Sequence, residues 1–91
     1  MQTISFTKEE NTLAWASSPI QLTGADIAVR VRLSRQGRVE VWRSISGDEY
    51  VKDGSFGSNA AGIAETNISG GVAGQYIKFR TFSEVVSAGY I

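Results

Sequence analysis

Nine carboxylates and nine cations, with no histidine and no cysteine, limit the chemistry open to this 91-residue chain. Losing histidine removes the usual general base at neutral pH, the commonest transition-metal ligand and the usual pH sensor. Losing cysteine removes the thiolate nucleophile, the Cys-rich metal site and any disulfide framework. A nucleophilic serine would then need a lysine base, and no motif supports one where Lys and Ser fall near each other. Asp48, Glu49 and Asp53 form the densest acidic group. Asp48 and Asp53 flank Tyr50 and could approach across a short strand, but aspartate is a default turn residue. Their spacing also lacks the alternating acids of a calcium loop. The glycine-rich stretches contain no phosphate-cradling G-x-x-x-x-G-K-[ST]. The expectation is a non-enzyme with no catalytic residues, no cofactor and no metal.

What the side chains can do is bind. Arg30, Arg32, Glu40 and Trp42 alternate with apolar residues on two strand-like segments, and Tyr76, Lys78 and Arg80 do so on a third. Together these seven residues form a candidate contact surface of mixed basic and aromatic character. An outward indole can stack on an arginine, on a partner subunit or on a sugar ring. A solvated sheet face carries the same residue types. An exposed Trp beside a flat sheet favours a contact surface. Trp15, alternating with alanines, reads as core.

The elements that must position these residues centre on Ala25–Ile45. Ile27, Val29, Val31 and Leu33 alternate with Ala28, Arg30, Arg32 and Ser34, a strict period of two. Val39, Val41, Arg43 and Ile45 alternate with Glu40, Trp42 and Ser44. Arg35-Gln36-Gly37 between them predicts a three-residue turn closed by a left-handed glycine, and so one long β-hairpin. In that register Leu33 meets Val39, Val31 meets Val41 and Ile27 meets Ile45. Arg32 then lies opposite Glu40, and Arg30 opposite Trp42, both favourable pairs. Arg43 falls on the inward face opposite Val29, where it must pair with an acid or reach out past the core edge.

Along the rest of the chain, short strands are expected around Ile4–Phe6, Leu13–Trp15, Ile20–Leu22, Tyr50–Lys52 and Ile63–Ile68. Residues 54–62 read as a loop, Gln75–Phe82 as a clear strand, and Val85–Ile91 as the last one. The longest strands are predicted at 26–34, 38–46 and 75–82, with no more than one short helical turn. The fold class is all-β: a single domain, residues 1–91, forming an antiparallel β-sandwich of about seven or eight short strands, immunoglobulin-like or jelly-roll-like.

Zero formal charge offers no general attraction to nucleic acid or to an anionic membrane. No stretch approaches the ~20 apolar residues of a membrane span, and the N-terminus lacks the pattern of a secretory signal, so a soluble protein is expected.

Gly37-Arg38-Val39-Glu40-Val41-Trp42-Arg43-Ser44-Ile45-Ser46-Gly47-Asp48-Glu49-Tyr50 resembles the pattern Gly-x-Val-x-Val-x-Arg-Ser-x-Asp-Gly-x-x-Tyr/Trp. That pattern belongs to small β-sandwich modules of bacteriophage head, neck and tail structural proteins. Ser46 stands where the pattern has Asp, and Gly74–Arg80 is compatible with its later Gly-x-Tyr strand. The resemblance implies a virion structural or assembly module, located in the virion and acting through protein–protein contacts. Its partners would be further copies of itself, as a homo-oligomer, or other virion proteins. A carbohydrate-binding sandwich, with Trp42 or Tyr76 stacked on a glycan, is the alternative.

Overall fold

The period-two segments become strands, and the polar and glycine-rich stretches between them become turns. The computed structural model describes residues 1–91 as ten strands: β1 Gln2–Thr3, β2 Phe6–Lys8, β3 Trp15–Ser17, β4 Ile20–Gln21, β5 Ile27–Leu33, β6 Arg38–Ser44, β7 Val51–Gly57, β8 Ile63–Ile68, β9 Tyr76–Thr81 and β10 Val85–Tyr90. There is no helix, so none long and apolar enough to cross a membrane. Two antiparallel sheets pack face to face as a β-sandwich. Sheet A has the order β1-β10-β5-β8, and sheet B the order β2-β3-β9-β6-β7 with β4 also paired to β9.

The inward faces are those that alternation assigns. Val29, Val31 and Leu33 of β5, Val39 and Val41 of β6, and Ile77 and Phe79 of β9 are all buried. Each such side chain contributes roughly 1.5–3 kcal/mol when taken out of water. Phe56 of β7 meets Phe79 edge to face, with ring centroids 6.1 Å apart. Ile4, Leu22, Ala64 and Ile68 complete the core. Ile27 and Trp15 are half-buried, so neither is a full core residue.

The central hairpin does not form. β5 pairs with β10 and β8 in sheet A, whereas β6 pairs with β7 and β9 in sheet B. Ser34–Gly37 is therefore an arch that carries the chain from one sheet to the other. Its backbone bonds to other turns: Ser34 N–H donates to Glu84 O, and Gly37 O accepts from Ser58 N–H. Gly37 does not take the left-handed conformation a hairpin loop requires. It is needed for close approach, since a Cβ there would overlap the Ser83 hydroxyl and stand 3.2 Å from Leu33 Cδ1. Crossing the sandwich lets the apolar faces of β5 and β6 bury against opposite sides of one core. The cross-strand pairs of the hairpin register, Arg32 with Glu40 and Arg30 with Trp42, are accordingly absent.

Two further expectations change with this topology, and a third, an acid partner for Arg43, is met at a different place. Residues 54–57 belong to β7, so only the remainder of 54–62 is a turn. Ile45 is 83% exposed, because β6 ends at Ser44 and the chain folds away from the core. Arg43 sits at the rim of sheet B. There the register of β7 shifts, with Gly54 opposite Val41 and Lys52 opposite Trp42, which leaves Asp53 as the extra residue of a bulge. Arg43 Nε donates to Asp53 Oδ2 at 2.6 Å, and its Nη2 donates to Ser69 O at 2.9 Å. The guanidinium thus finds its acid on the neighbouring strand, away from Val29.

Candidate functional site

The two outer faces of the sandwich differ in character. Arg30 and Arg32 project from β5 on the outer face of sheet A, and both are exposed. Arg30 pairs with Glu65 of β8 at 2.8 Å. Glu40, Trp42, Tyr76, Lys78 and Arg80 lie together on the outer face of sheet B, and all five are half-buried. The candidate surface is therefore split, two residues on one side of the molecule and five on the other.

On sheet B, register brings the side chains into rows. Thr7, Ala16, Arg80, Glu40 and Ser55 form one row across five strands, and Lys78, Trp42 and Lys52 form the next. Within them the charges pair. Arg80 grips Glu9 with two parallel hydrogen bonds, Nε to Oε2 at 2.9 Å and Nη2 to Oε1 at 3.0 Å. That fork holds the Glu9 carboxyl below the ordinary glutamate range and raises the Arg80 guanidinium further. Glu40 accepts from Trp42 Nε1 at 3.1 Å and pairs with Lys52 Nζ at 3.4 Å.

The segment Ile45–Tyr50 then folds back over this face. Ser44 Oγ accepts the Gly47 N–H at 2.8 Å, and Gly47 takes φ 92° to make the reversal. The fold-back lays Gly47 on the Tyr76 ring. It also places Tyr50 under Lys78, whose Nζ stands 4.3 Å from the Tyr50 ring centroid. The Tyr50 hydroxyl is buried without a hydrogen-bond partner in the chain. Burial first, then the neighbouring Tyr76 and Asp48 charges, pushes its ionisation above the ordinary tyrosine range. An unpaired buried hydroxyl costs about 1–3 kcal/mol, so this corner is held down by its surroundings.

A depression of ≈ 300 Å³ opens between these groups, lined by Glu9, Ala16, Trp42, Asp48, Tyr50, Lys78 and Arg80. Ala16 is the one small side chain in that lining. Larger hollows occur beside Arg43 and Gln75 (≈ 520 Å³), beside Met1 and Glu65 (≈ 390 Å³) and beside Arg32 and Val86 (≈ 380 Å³), but none of the three has an aromatic wall. Only the sheet B depression combines aromatic surface with free polar groups of both signs.

Sequence reasoning missed Glu9, Asp48 and Tyr50 as members of this face. Glu9 is 71 residues from Arg80, and no local pattern links them. Tyr50 did carry a signal: it ends the resemblance segment, one short turn beyond Trp42. Asp48, Glu49 and Asp53 are not gathered into any metal-ligating group, and Asp53 is taken by Arg43. No protein-family model, curated protein or solved structure matches the chain.

Proposed function

We propose that this chain is a non-enzymatic structural or assembly module of a virion, of the bacteriophage head, neck or tail kind. It works through protein–protein contacts made by the outer face of sheet B. The observation that carries this reading is that the segment resembling those modules, Gly37–Tyr50, also supplies the centre of that face: Glu40, Trp42, Asp48 and Tyr50. Half-buried aromatics ringed by internally paired charges have the composition of a contact patch, with an aromatic anchor and a polar rim.

A glycan in the depression is the second reading, favoured by Trp42 and Tyr50 standing in its wall. Two of the three aromatic faces near the depression are already covered, Tyr50 by Lys78 and Tyr76 by Gly47. That leaves Trp42 alone to stack on a sugar, which favours the protein contact.

Trp42→Ala tests the choice. It should leave the melting temperature of the isolated domain nearly unchanged, since the indole is only half-buried, while docking to the particle or partner is lost. Truncating an anchor of this kind costs about 2 kcal/mol or more of binding. Electron microscopy of the source particle and a glycan array complete the test. Absence of the chain from any particle overturns the virion reading, and saturable glycan binding lost in Trp42→Ala replaces it with the carbohydrate one.

A further inference from the structure

The rim of the sheet B depression is neutral and nearly self-satisfied, while Arg38, further along the same face, is bonded to Ser55. Around the depression stand three cations, Lys52, Lys78 and Arg80, and three anions, Glu9, Glu40 and Asp48. Two of each are consumed internally, in the pairs Glu9–Arg80 and Glu40–Lys52. One group of each sign remains without an ion-pair partner: the Lys78 ammonium, poised over the Tyr50 ring, and the Asp48 carboxylate. Both border the same depression, beside Trp42.

A strongly charged partner would be matched by an excess of the opposite sign, and the rim of this depression has none. One free cation and one free anion flanking an aromatic centre are instead complementary to the same arrangement turned by a half rotation. In an isologous two-fold contact, a residue i that meets j on the partner is matched by j meeting i. We infer that the partner of this face is a second copy of the chain. The two-fold axis passes through the Trp42–Tyr50 region, and Lys78 of each copy is paired with Asp48 of the other. This rests on the reading of the sheet B face as a contact surface and names its occupant.

Charge reversal tests it with the intact chain. Asp48→Lys alters an exposed side chain and should keep the wild-type circular dichroism and melting temperature, whereas Lys78→Glu also removes the ammonium over the Tyr50 ring and should keep the circular dichroism but melt somewhat lower. Each alone sets two like-charge pairs across the two-fold, and sedimentation velocity should show the dimer dissociation constant rising about a hundredfold or more. Mixing the two variants restores both attractions, so an equimolar mixture should form a one-to-one heterodimer from two monomeric proteins. The inference is overturned if wild type stays monomeric at high micromolar concentration, or if the mixed variants stay apart while wild type dimerises. A monomeric wild type whose particle docking is still lost in Trp42→Ala overturns the second copy and keeps the contact surface. A dimer indifferent to both reversals and to Trp42→Ala overturns both.

Discussion

Gly47 lies against the ring of Tyr76, so closely that a Cβ at position 47 would stand 3.1 Å from Tyr76 Cε1. The left-handed φ of 92° at the same residue adds the steric cost of roughly 1–2 kcal/mol that any L side chain meets there. Gly47→Ala should therefore destabilise the domain by at least about that much in urea unfolding. It should also displace the fold-back carrying Asp48 and Tyr50, visible as altered tyrosine and tryptophan fluorescence. Wild-type stability in this variant would mean that the turn does not rest on Tyr76.

The split of the arginines from the tryptophan is testable by double-mutant cycles. Arg30 and Glu65, an exposed pair at 2.8 Å, should show a coupling of about 0.2–1 kcal/mol in alanine cycles. Arg32 and Glu40, on opposite outer faces, should show none. A measurable Arg32–Glu40 coupling would restore the hairpin and reject the two-sheet topology.

How much was legible in the sequence follows from these same residues. Alternation specifies which face of a strand a side chain takes, and Val29, Val31, Val39, Val41, Ile77 and Phe79 all lie where it puts them. It does not specify which sheet the strand joins. A hairpin and an arch across the sandwich place the apolar sets of β5 and β6 in the same core, so the pattern is identical for both. What separates them is the backbone of residues 34–37, which bonds to turns at residues 58 and 84, far along the chain. The candidate surface divided for this reason. Glu40 and Trp42 went with β9, Arg30 and Arg32 with β8 and β10, and Glu9 arrived from the turn after β2, with no local signal.

Val31→Asp tests the core itself. Val31 is wholly buried between the sheets, and an unpaired carboxylate there costs several kcal/mol against a total stability of roughly 5–15 kcal/mol. The variant should be unfolded by circular dichroism at room temperature. A melt like that of wild type would reverse the inward and outward faces of β5.

Two groups give the stability a pH dependence at opposite ends. Glu9 is held below its ordinary range, chiefly by its hydrogen bonds from Arg80. Its contribution is present above the unfolded-state value and is lost as pH falls through the lower folded value. Tyr50 is raised, chiefly by burial. Its contribution is complete below the unfolded value of about 10 and is lost as pH rises through the higher folded value. Glu9→Gln should flatten the acid limb of the melting curve and leave the alkaline limb intact. Tyr50→Phe should flatten the alkaline limb and, by removing an unpaired buried hydroxyl, match or exceed wild-type stability at neutral pH. A clear loss of stability in Tyr50→Phe would show that the hydroxyl is bonded after all.

The arch between β5 and β6 also orders the birth of the molecule. Strands adjacent along the chain pair directly only in β2–β3 and β6–β7, and every other ladder joins distant segments. The two longest early strands, β5 and β6, cannot zip together from the turn between them. β10, residues 85–90, lies between β1 and β5, and β9 lies in the middle of sheet B. A chain still emerging from the ribosome therefore carries its earlier apolar strands without their central partners until β9 and β10 have been made. Folding must then close large loops in one late cooperative step, in the millisecond-to-second range of all-β topologies, with no stable half-molecule on the way.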